Sequence, residues 1–364
     1  MTFLKCLPSV CTIGSDYEII LYGVANGIFS VKIGNAVYYE ENSGVLASEK
    51  CFAKIRVPQD ILDTVRFYTV RFRKTVDRKA YFSEMADEES VDFSFKPITK
   101  TENINIYHVA DVHYCFDAGV NAATYFGDDL DLLVVNGDIG EVETEQNYFE
   151  VCKFVGDISH GNVPVIFVRG NHDTRGKLAE RFTDYFPANG KNTFFDFKVG
   201  SLYGIALDCG EDKVDTNVEY NGVNAFEAFR QRESAYLRSL DKKDGLTFAI
   251  SHICPSQAAS KKDSVFDIEH DTYTAWNKEL ERLGVKFMLC GHIHKCYILQ
   301  KNDEQSILPN AYAVIVGSAL DHQTKEFIGA ALTLSADKLT VKFTNDKKQV
   351  LSTQIIDLDT GKII

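Results

Sequence analysis

The first hundred residues alternate between apolar and polar positions with a period of two. In "KCFAKIRVP" (50–58) and "FYTVRFRKT" (67–75), apolar side chains take every second position and basic ones much of the rest. This period buries one face of a strand and leaves the other in solvent, as in antiparallel sheets. Glycine and asparagine separate further short strands at 18–23, 27–34 and 35–40. About seven strands in so short a stretch predict an all-β sandwich.

The pattern changes after "KPITKTEN" (96–103), a polar segment with one proline that predicts a linker. Beyond it, continuous apolar strands alternate with segments of helical periodicity, which is typical of layered α/β architectures. The clearest helical series is Tyr148, Val151, Cys152, Val155 and Ile158. The predicted strands are 104–113, 130–138, 163–173, 246–252 and 285–294.

Two later segments, 193–208 and 331–345, predict hairpins that turn at Gly200-Ser201 and near Ala336-Asp337. We therefore interpret the chain as two domains. Residues 1–97 form the β-sandwich and residues 98–364 the α/β domain.

Each of the five α/β strands ends at its carboxyl side in histidine, aspartate or asparagine. The carboxyl ends of the strands form the ligand crevice in open α/β sheets, so we expect these side chains to converge. The residues are Asp111 and His113; Asp138; Asn171, His172 and Asp173; His252; and His292 and His294.

These donors mix nitrogen and oxygen, which suits a borderline divalent metal such as Mn, Fe, Zn or Ni. Asp138 has two oxygens and could bridge two ions. Two dications about 3.5–4 Å apart lower the pKa of a bridging water and clamp an in-line displacement at phosphorus. His172 and Asp173 are then left for proton transfer or for support of the ligands. Seven donors are too many for one ion and fit two: Asp111, His113, Asp138, Asn171, His252, His292 and His294.

The amino-acid composition limits the classes of partner that the protein could bind and the compartment in which it could work. The 364 residues carry a formal charge of −13, which argues against a nucleic acid or an anionic membrane held by a basic surface. No apolar run approaches the roughly 18–20 residues that span a bilayer. The N-terminal segment has too short an apolar stretch for a secretory signal, whose core takes roughly 7–15 residues. Nine scattered cysteines without a CxxC pair fit reduced thiols. We expect a cytoplasmic protein.

Taken in order, the blocks "DVH", "NGD", "GNHD", "SH" and "GHIH" resemble the signature of the calcineurin-like metallophosphoesterase superfamily. The resemblance covers roughly residues 104–320. It implies four α/β/β/α layers, in which two packed sheets are flanked by helices. It also implies a dinuclear centre at the strand ends. One metal would be held by Asp111, His113 and His294, the other by Asn171, His252 and His292, with Asp138 as the bridge.

The same resemblance implies a reaction, the hydrolysis of a phosphate ester by in-line attack of a metal-bound hydroxide. His172, oriented by Asp173, would protonate the leaving oxygen or stabilise the charge of the transition state.

The sandwich before the catalytic domain is similar to the fibronectin type III-like N-terminal domain of purple acid phosphatases. Segment 207–233 is similar to them more loosely. Purple enzymes place a metal-binding tyrosine three residues after the aspartate of GD and lack the first-motif histidine. Here Glu141 and His113 occupy those positions. We expect no tyrosinate charge transfer and hence no purple colour.

Arg175 and His322 are weaker candidates for substrate contact. Arg175 follows "GNHD" and could pair with a phosphate, but an arginine there could equally cap a helix or lie in solvent. His322 follows the apolar strand 311–317 and could reach the rim of the cleft. The acidic residues Glu211, Asp212 and Asp215 predict a solvated rim.

The leading function is hydrolysis of small-molecule phosphate esters, either monoesters or diesters. A nuclease or a protein phosphatase would use the same site, although the acidic balance disfavours a nuclease. A third alternative is a scaffold that keeps the fold without catalysis. We disfavour it because every block is intact.

Overall fold

The chain forms alternating strands and helices in the computed structural model, which describes residues 3–256 and 265–364. The strands are β1 (Ser9–Ile13), β2 (Asp16–Tyr22), β3 (Gly27–Ile33), β4 (Ala36–Tyr38), β5 (Phe52–Pro58), β6 (Phe67–Arg78), β7 (Ser83–Ser94), β8 (Ile104–Val109), β9 (Leu132–Asn136), β10 (Pro164–Val168), β11 (Phe195–Val199), β12 (Leu202–Leu207), β13 (Leu246–Ser251), β14 (Val285–Cys290), β15 (Lys295–Leu299), β16 (Ala313–Leu320), β17 (Phe327–Ser335), β18 (Lys338–Asn345), β19 (Val350–Asp357) and β20 (Lys362–Ile363). The α-helices are α1 (Gln59–Val65), α2 (Phe116–Ala123), α3 (Glu145–Ser159), α4 (Phe182–Tyr185), α5 (Phe226–Ser239) and α6 (His270–Arg282).

Two sheets lie face to face at the centre of the fold. The first sheet has the order β20-β19-β18-β17-β8-β9-β10-β1-β2-β5, and the second β11-β12-β13-β14-β16-β15. The end of β16 also pairs with the start of β17, so hydrogen bonding joins the two sheets at this point. The strands β8, β9, β10 and β1 are parallel, as are β12, β13, β14 and β16. One apolar cluster fills the space between the sheets and includes Val134 and Ile166 of the first with Phe248 and Leu289 of the second.

Helices cover the outer faces of both sheets. Val155 of α3 shares an apolar cluster with Phe167 of the first sheet. Trp276 of α6 shares another with Met288 of the second sheet. Every residue of β9 and β10 is buried, which explains why these strands read as continuous apolar runs. The predicted α/β/β/α layering is confirmed.

The N-terminal region is a sandwich, as predicted, but one of its sheets is part of the first central sheet. A separate sheet of order β4-β3-β6-β7 packs on β1, β2 and β5 through a cluster that includes Tyr17, Val31 and Phe72. β1 in turn pairs in parallel with β10, with Val10 opposite Pro164 and Cys11 opposite Val165. Hydrogen bonding therefore runs without a break across the proposed domain boundary at residue 97.

The predicted strands and hairpins are present, with earlier ends. β8 ends at Val109 and β14 at Cys290, because the polar residues that follow leave the extended conformation. Both predicted hairpins form, one between β11 and β12 and the other between β17 and β18. All nine cysteines lie within the described residues, and none of them forms a disulfide. Across residues 3–256 and 265–364, no helix combines the length and apolar character needed to cross a bilayer.

Candidate metal centre

The predicted metal-binding residues lie in the loops that follow β8, β9, β10, β13 and β14, where the parallel strands of both sheets end. Residues with a Cβ take a left-handed backbone at a cost of order 1–3 kcal/mol each, and such strain collects at functional sites. Here the strained backbone turns side chains from distant parts of the chain toward one point. Five of the candidates have a positive φ: Asp111 (53°), His113 (43°), Asp138 (55°), His292 (70°) and His294 (52°).

Glycines allow these loops to approach one another closely. Gly137 has a φ of 79°, and a Cβ on it would overlap the main chain of Gly170. A Cβ on Gly170 would overlap Asp138, and one on Gly291 would lie 2.7 Å from the Cβ of Ala110. The glycines of the NGD, GNHD and GHIH blocks are therefore required by the packing of the loops.

Asp111, His113 and His294 form a first group of donors, whose ligand atoms lie within 4.8 Å of one another. The Nε2 atoms of His113 and His294 are 3.2 Å apart, and His294 Nε2 lies 3.6 Å from Asp111 Oδ1. The main-chain N–H of His292 donates to both oxygens of Asp111, at 3.0 and 2.9 Å, and so fixes the plane of that carboxylate.

Asp138, Asn171, His252 and His292 form a second group. His252 Nε2 lies 3.1 Å from Asp138 Oδ2. The end of the Asn171 amide that faces the group lies 3.0 Å from His292 Nδ1, 3.2 Å from His252 Nε2 and 3.3 Å from Asp138 Oδ2. With its oxygen in this position, the amide faces lone pairs on His292 and Asp138, and on His252 once that ring has released its proton, an arrangement that a shared cation stabilises. The donor set therefore fits a metal.

Asp138 belongs to both groups. Its carboxylate lies within 4.8 Å of donor atoms on His113 and His172 on one side, and of donor atoms on Asp111 and His252 on the other. Its Oδ1 also accepts the main-chain N–H of His172 at 2.8 Å. The carboxylate is buried, so its position is set by the loops around it. This is the placement that a bridging ligand needs.

The electrostatics of the metal-free site favour one charged histidine. Burial opposes protonation of His252, but Asp138 and Asp111 outweigh it and raise the pKa of this ring to about 10. Burial lowers the pKa of His113 to about 4 and that of His292 to about 3, which keeps both rings neutral. Neutral imidazoles are ready to bind a metal, whereas His252 must first release a proton.

His172 lies beside both groups, but its side-chain partner differs from the expectation. Oδ2 of Asp173 accepts the main-chain N–H of Gly170 at 2.8 Å and that of Asp138 at 3.2 Å, so this carboxylate ties two loops together. The ring of His172 instead faces Arg175, whose Nη1 lies 3.2 Å from His172 Nε2.

The prediction that Glu211 and Asp212 form a solvated rim is wrong. The side chain of Glu211 is only 1% exposed, and that of Asp212 only 10%. Glu211 pairs with Arg175, and Asp212 Oδ2 lies 3.9 Å from His292 Nε2. The sequence holds no local signal for this, since Glu211 and Arg175 are 36 residues apart. Asp215 is half-buried, and its carboxylate accepts main-chain N–H groups at the start of α5.

His322 lies at the edge of the first group. Its ring centroid is 5.3 Å from that of His294 and 5.9 Å from that of His113, and the residue is exposed. The sequence indicated that His322 could reach the rim of the cleft, and in the structure its ring lies beside the first group of donors. Its contact with substrate stays a prediction.

Comparisons with known proteins agree with this geometry. The sequence model of the calcineurin-like phosphoesterase family matches residues 104–296. No curated protein matches the sequence. Purple acid phosphatase PPD1 from yellow lupin (Lupinus luteus) seeds has a similar fold, with a TM-score of 0.61 at 12% identity over 96% of this chain and 74% of that one. PhoD is similar with a TM-score of 0.56 at 11% identity, over 98% and 90% of the two chains.

The matched segment runs from the first residue of β8 to the second residue of β15 and contains every candidate metal ligand. It spans more than half of the chain. The chain therefore belongs to the calcineurin-like phosphoesterase family.

Proposed function

We propose that the protein is a dinuclear metal-dependent phosphoesterase that hydrolyses phosphate monoesters or diesters of small molecules. The observation that supports this most is the convergence of seven nitrogen and oxygen donors from five separate loops into two adjoining groups. Family membership supports the same reaction class.

In this proposal each group of donors holds one ion. Asp111, His113 and His294 bind the first. Asn171, His252 and His292 would bind the second, and Asp138 would be shared by both. When bound, a pair of dications lowers the pKa of water and neutralises charge on a phosphate. The mixture of imidazole, carboxylate and amide donors suits Mn, Fe, Zn or Ni.

The remaining side chains act on the substrate. His172 lies within 4.8 Å of the donor atoms of His113 and Asp138, where it can reach the oxygen of a leaving group and transfer a proton to it. His322 lies on the open side of the first group, where the alcohol portion of an ester would extend. Arg175 adds a fixed cation beside His172.

The test is hydrolysis of bis- and mono-p-nitrophenyl phosphate by protein stripped of metal and reloaded separately with Mn, Fe, Zn or Ni. We expect a chelator to abolish activity and at least one metal to restore it. Protein that binds two equivalents of metal and cleaves neither ester would end the proposal. A panel of natural phosphate esters, scored by phosphate release, then distinguishes monoesterase from diesterase.

The nuclease alternative makes a different prediction. It requires affinity for single- or double-stranded nucleic acid at low salt, which the charge of −13 opposes. Filter binding at low ionic strength separates the two functions. We expect no retention of DNA or RNA.

A further inference from the structure

A buried ion pair stands behind the candidate proton donor. The carboxylate of Glu211 is 1% exposed and takes hydrogen bonds from four groups. Arg175 donates to it twice, from Nε to Oε1 at 2.6 Å and from Nη2 to Oε2 at 2.7 Å. Thr174 Oγ1 donates to Oε1 at 3.0 Å, and the Tyr220 hydroxyl to Oε2 at 3.3 Å. A buried carboxylate so fully satisfied holds its guanidinium in one orientation.

The remaining nitrogen of that guanidinium points at the metal centre. Arg175 Nη1 lies 3.2 Å from Nε2 of His172, and Nη2 lies 3.2 Å from the outer end of the Asn171 amide. An arginine cannot accept a proton, so it must donate to Nε2 of His172. Arg175 therefore restrains the candidate proton donor.

We propose that Glu211 is a positioning residue, which acts through Arg175 to hold the ring of His172 in place for catalysis. This inference rests on the proposed phosphoesterase function. Arg175 is a long side chain that is 38% exposed, and without a partner it would lose most of its order to rotamer freedom. The two parallel hydrogen bonds from Glu211 remove that freedom. The Nε and Nη2 groups of Arg175 already donate to Glu211, so this edge of the guanidinium is not available to bind a phosphate with two hydrogen bonds.

The chain offers a matched control. Arg169 donates from Nε to Asp208 Oδ2 at 2.7 Å, and Asp208 is also 1% exposed. Arg169 immediately precedes Gly170 in the chain. Neither Arg169 nor Asp208 makes a hydrogen bond to His172. Glu211→Gln and Asp208→Asn each remove one buried charge without changing shape. Only the first is expected to affect the chemical step.

The kinetic arm compares Glu211→Gln, Arg175→Lys, the double variant and Asp208→Asn. We expect each of the first two to lower kcat about 10–100-fold, the usual scale for residues that orient catalytic groups, with KM and metal content close to those of the parent. The double variant should lose no more than the worse single variant, because the two residues act as a unit. Glu211→Asp should recover part of the loss. A rise in KM alone, or fully additive losses, would overturn the proposal in favour of a substrate-binding or purely structural role.

A second arm needs no activity. In metal-free protein, the ring ¹⁵N signals of His172 report its hydrogen bonding, and they are assigned by their absence from His172→Gln. We expect Glu211→Gln to shift these signals and Asp208→Asn to leave them unchanged. Unchanged signals in Glu211→Gln would refute the positioning role. If the parent protein hydrolyses no phosphate ester, this arm alone decides the proposal, and the proposed function fails separately.

Discussion

His252 donates its Nδ1 proton to the main-chain oxygen of Asn136 across 2.6 Å. This bond leaves Nε2 as the free donor atom of the ring, directed at the metal centre. Asn136 is itself fully buried, and its Nδ2 donates to the main-chain oxygens of Ser251 and Leu289, both at 3.3 Å. One residue at the end of β9 therefore ties the first sheet to the ends of β13 and β14, directly beneath the candidate ligands.

Replacing Asn136 by alanine should loosen this junction. The variant removes the buried amide group that faces both carbonyls and His108 Nε2, so we expect the free energy of unfolding to fall by about 1–3 kcal/mol. Alanine keeps the main-chain oxygen that accepts from His252, but this oxygen should be held less firmly once the junction loosens, so we expect metal affinity to fall about 10–100-fold. Denaturant unfolding and metal titration measure the two effects. Asn121→Ala on the exposed side of α2 is the control and should change neither quantity. Unaltered metal affinity in Asn136→Ala would show that the junction is structural only.

Asp138→Ala should remove both metals. Asp111 also lies near both donor groups, but its two oxygens already accept the main-chain N–H of His292, so we do not expect it to replace the bridge. We expect elemental analysis of the purified variant to give well under one equivalent of metal, and ester hydrolysis to be lost. The exposed Asp128→Ala serves as control. Retention of two full equivalents would mean that Asp138 is not the shared ligand.

His172→Ala should separate metal binding from turnover. The seven candidate ligands remain, so we expect metal content near that of the parent. Turnover should fall by about 10²–10⁴-fold, the usual scale for a general acid. The measurement is kcat alongside elemental analysis, with the exposed His270→Ala as control. Loss of both metals would instead place His172 among the ligands.

Metal binding should release a proton from His252. The carboxylates raise the pKa of this ring to about 10, so at pH 7–9 the metal-free ring is protonated and the metal-bound ring is not. Apparent affinity should therefore increase with pH through this range. Calorimetric titration in two buffers of different ionisation enthalpy counts the protons released. His252→Asn should release fewer, and an equal count in both proteins would contradict the assignment.

The rest of the chain should not fold without the N-terminal sandwich. Deleting residues 1–97 takes away β1 and exposes the edge of β10, whose last residues precede the GNHD loop. We expect residues 98–364 alone to be unfolded or aggregated by circular dichroism and size-exclusion chromatography. Shortening the β6–β7 hairpin at 79–82, where Tyr81 is 85% exposed, should leave the fold intact. A folded, active 98–364 fragment would establish two independent domains.

Local patterns of apolar and polar residues predicted much of the fold. Strands β9 and β10 are buried on both faces and therefore appear in the sequence as continuous apolar runs. In β5 and β6 buried and more exposed residues alternate, as in a sheet with one solvated face. The spacing of apolar residues was therefore enough to predict both kinds of strand. The candidate ligands were found for a similar reason, since polar clusters at the ends of apolar strands are conspicuous.

What the sequence did not predict depends on long-range contacts. The pairing of β1 with β10 joins residues about 150 positions apart, and no local signal specifies it. The burial of Glu211 depends on where Arg175 and Tyr220 meet in space. The contacts of Asp173 with main-chain amides, in place of His172, follow from loop geometry that side-chain identity does not encode.

The shared strand edge has a consequence for how this protein could change. Because β1 is hydrogen-bonded to β10, the strand that leads into Asn171, the sandwich is directly connected to the candidate metal centre. An exchange of the sandwich for an unrelated module would remove the three strands at one end of the first sheet and leave β10 as an unpaired edge. The sandwich and the rest of the chain are therefore expected to have been inherited together, and a shift in β1 is transmitted directly to β10.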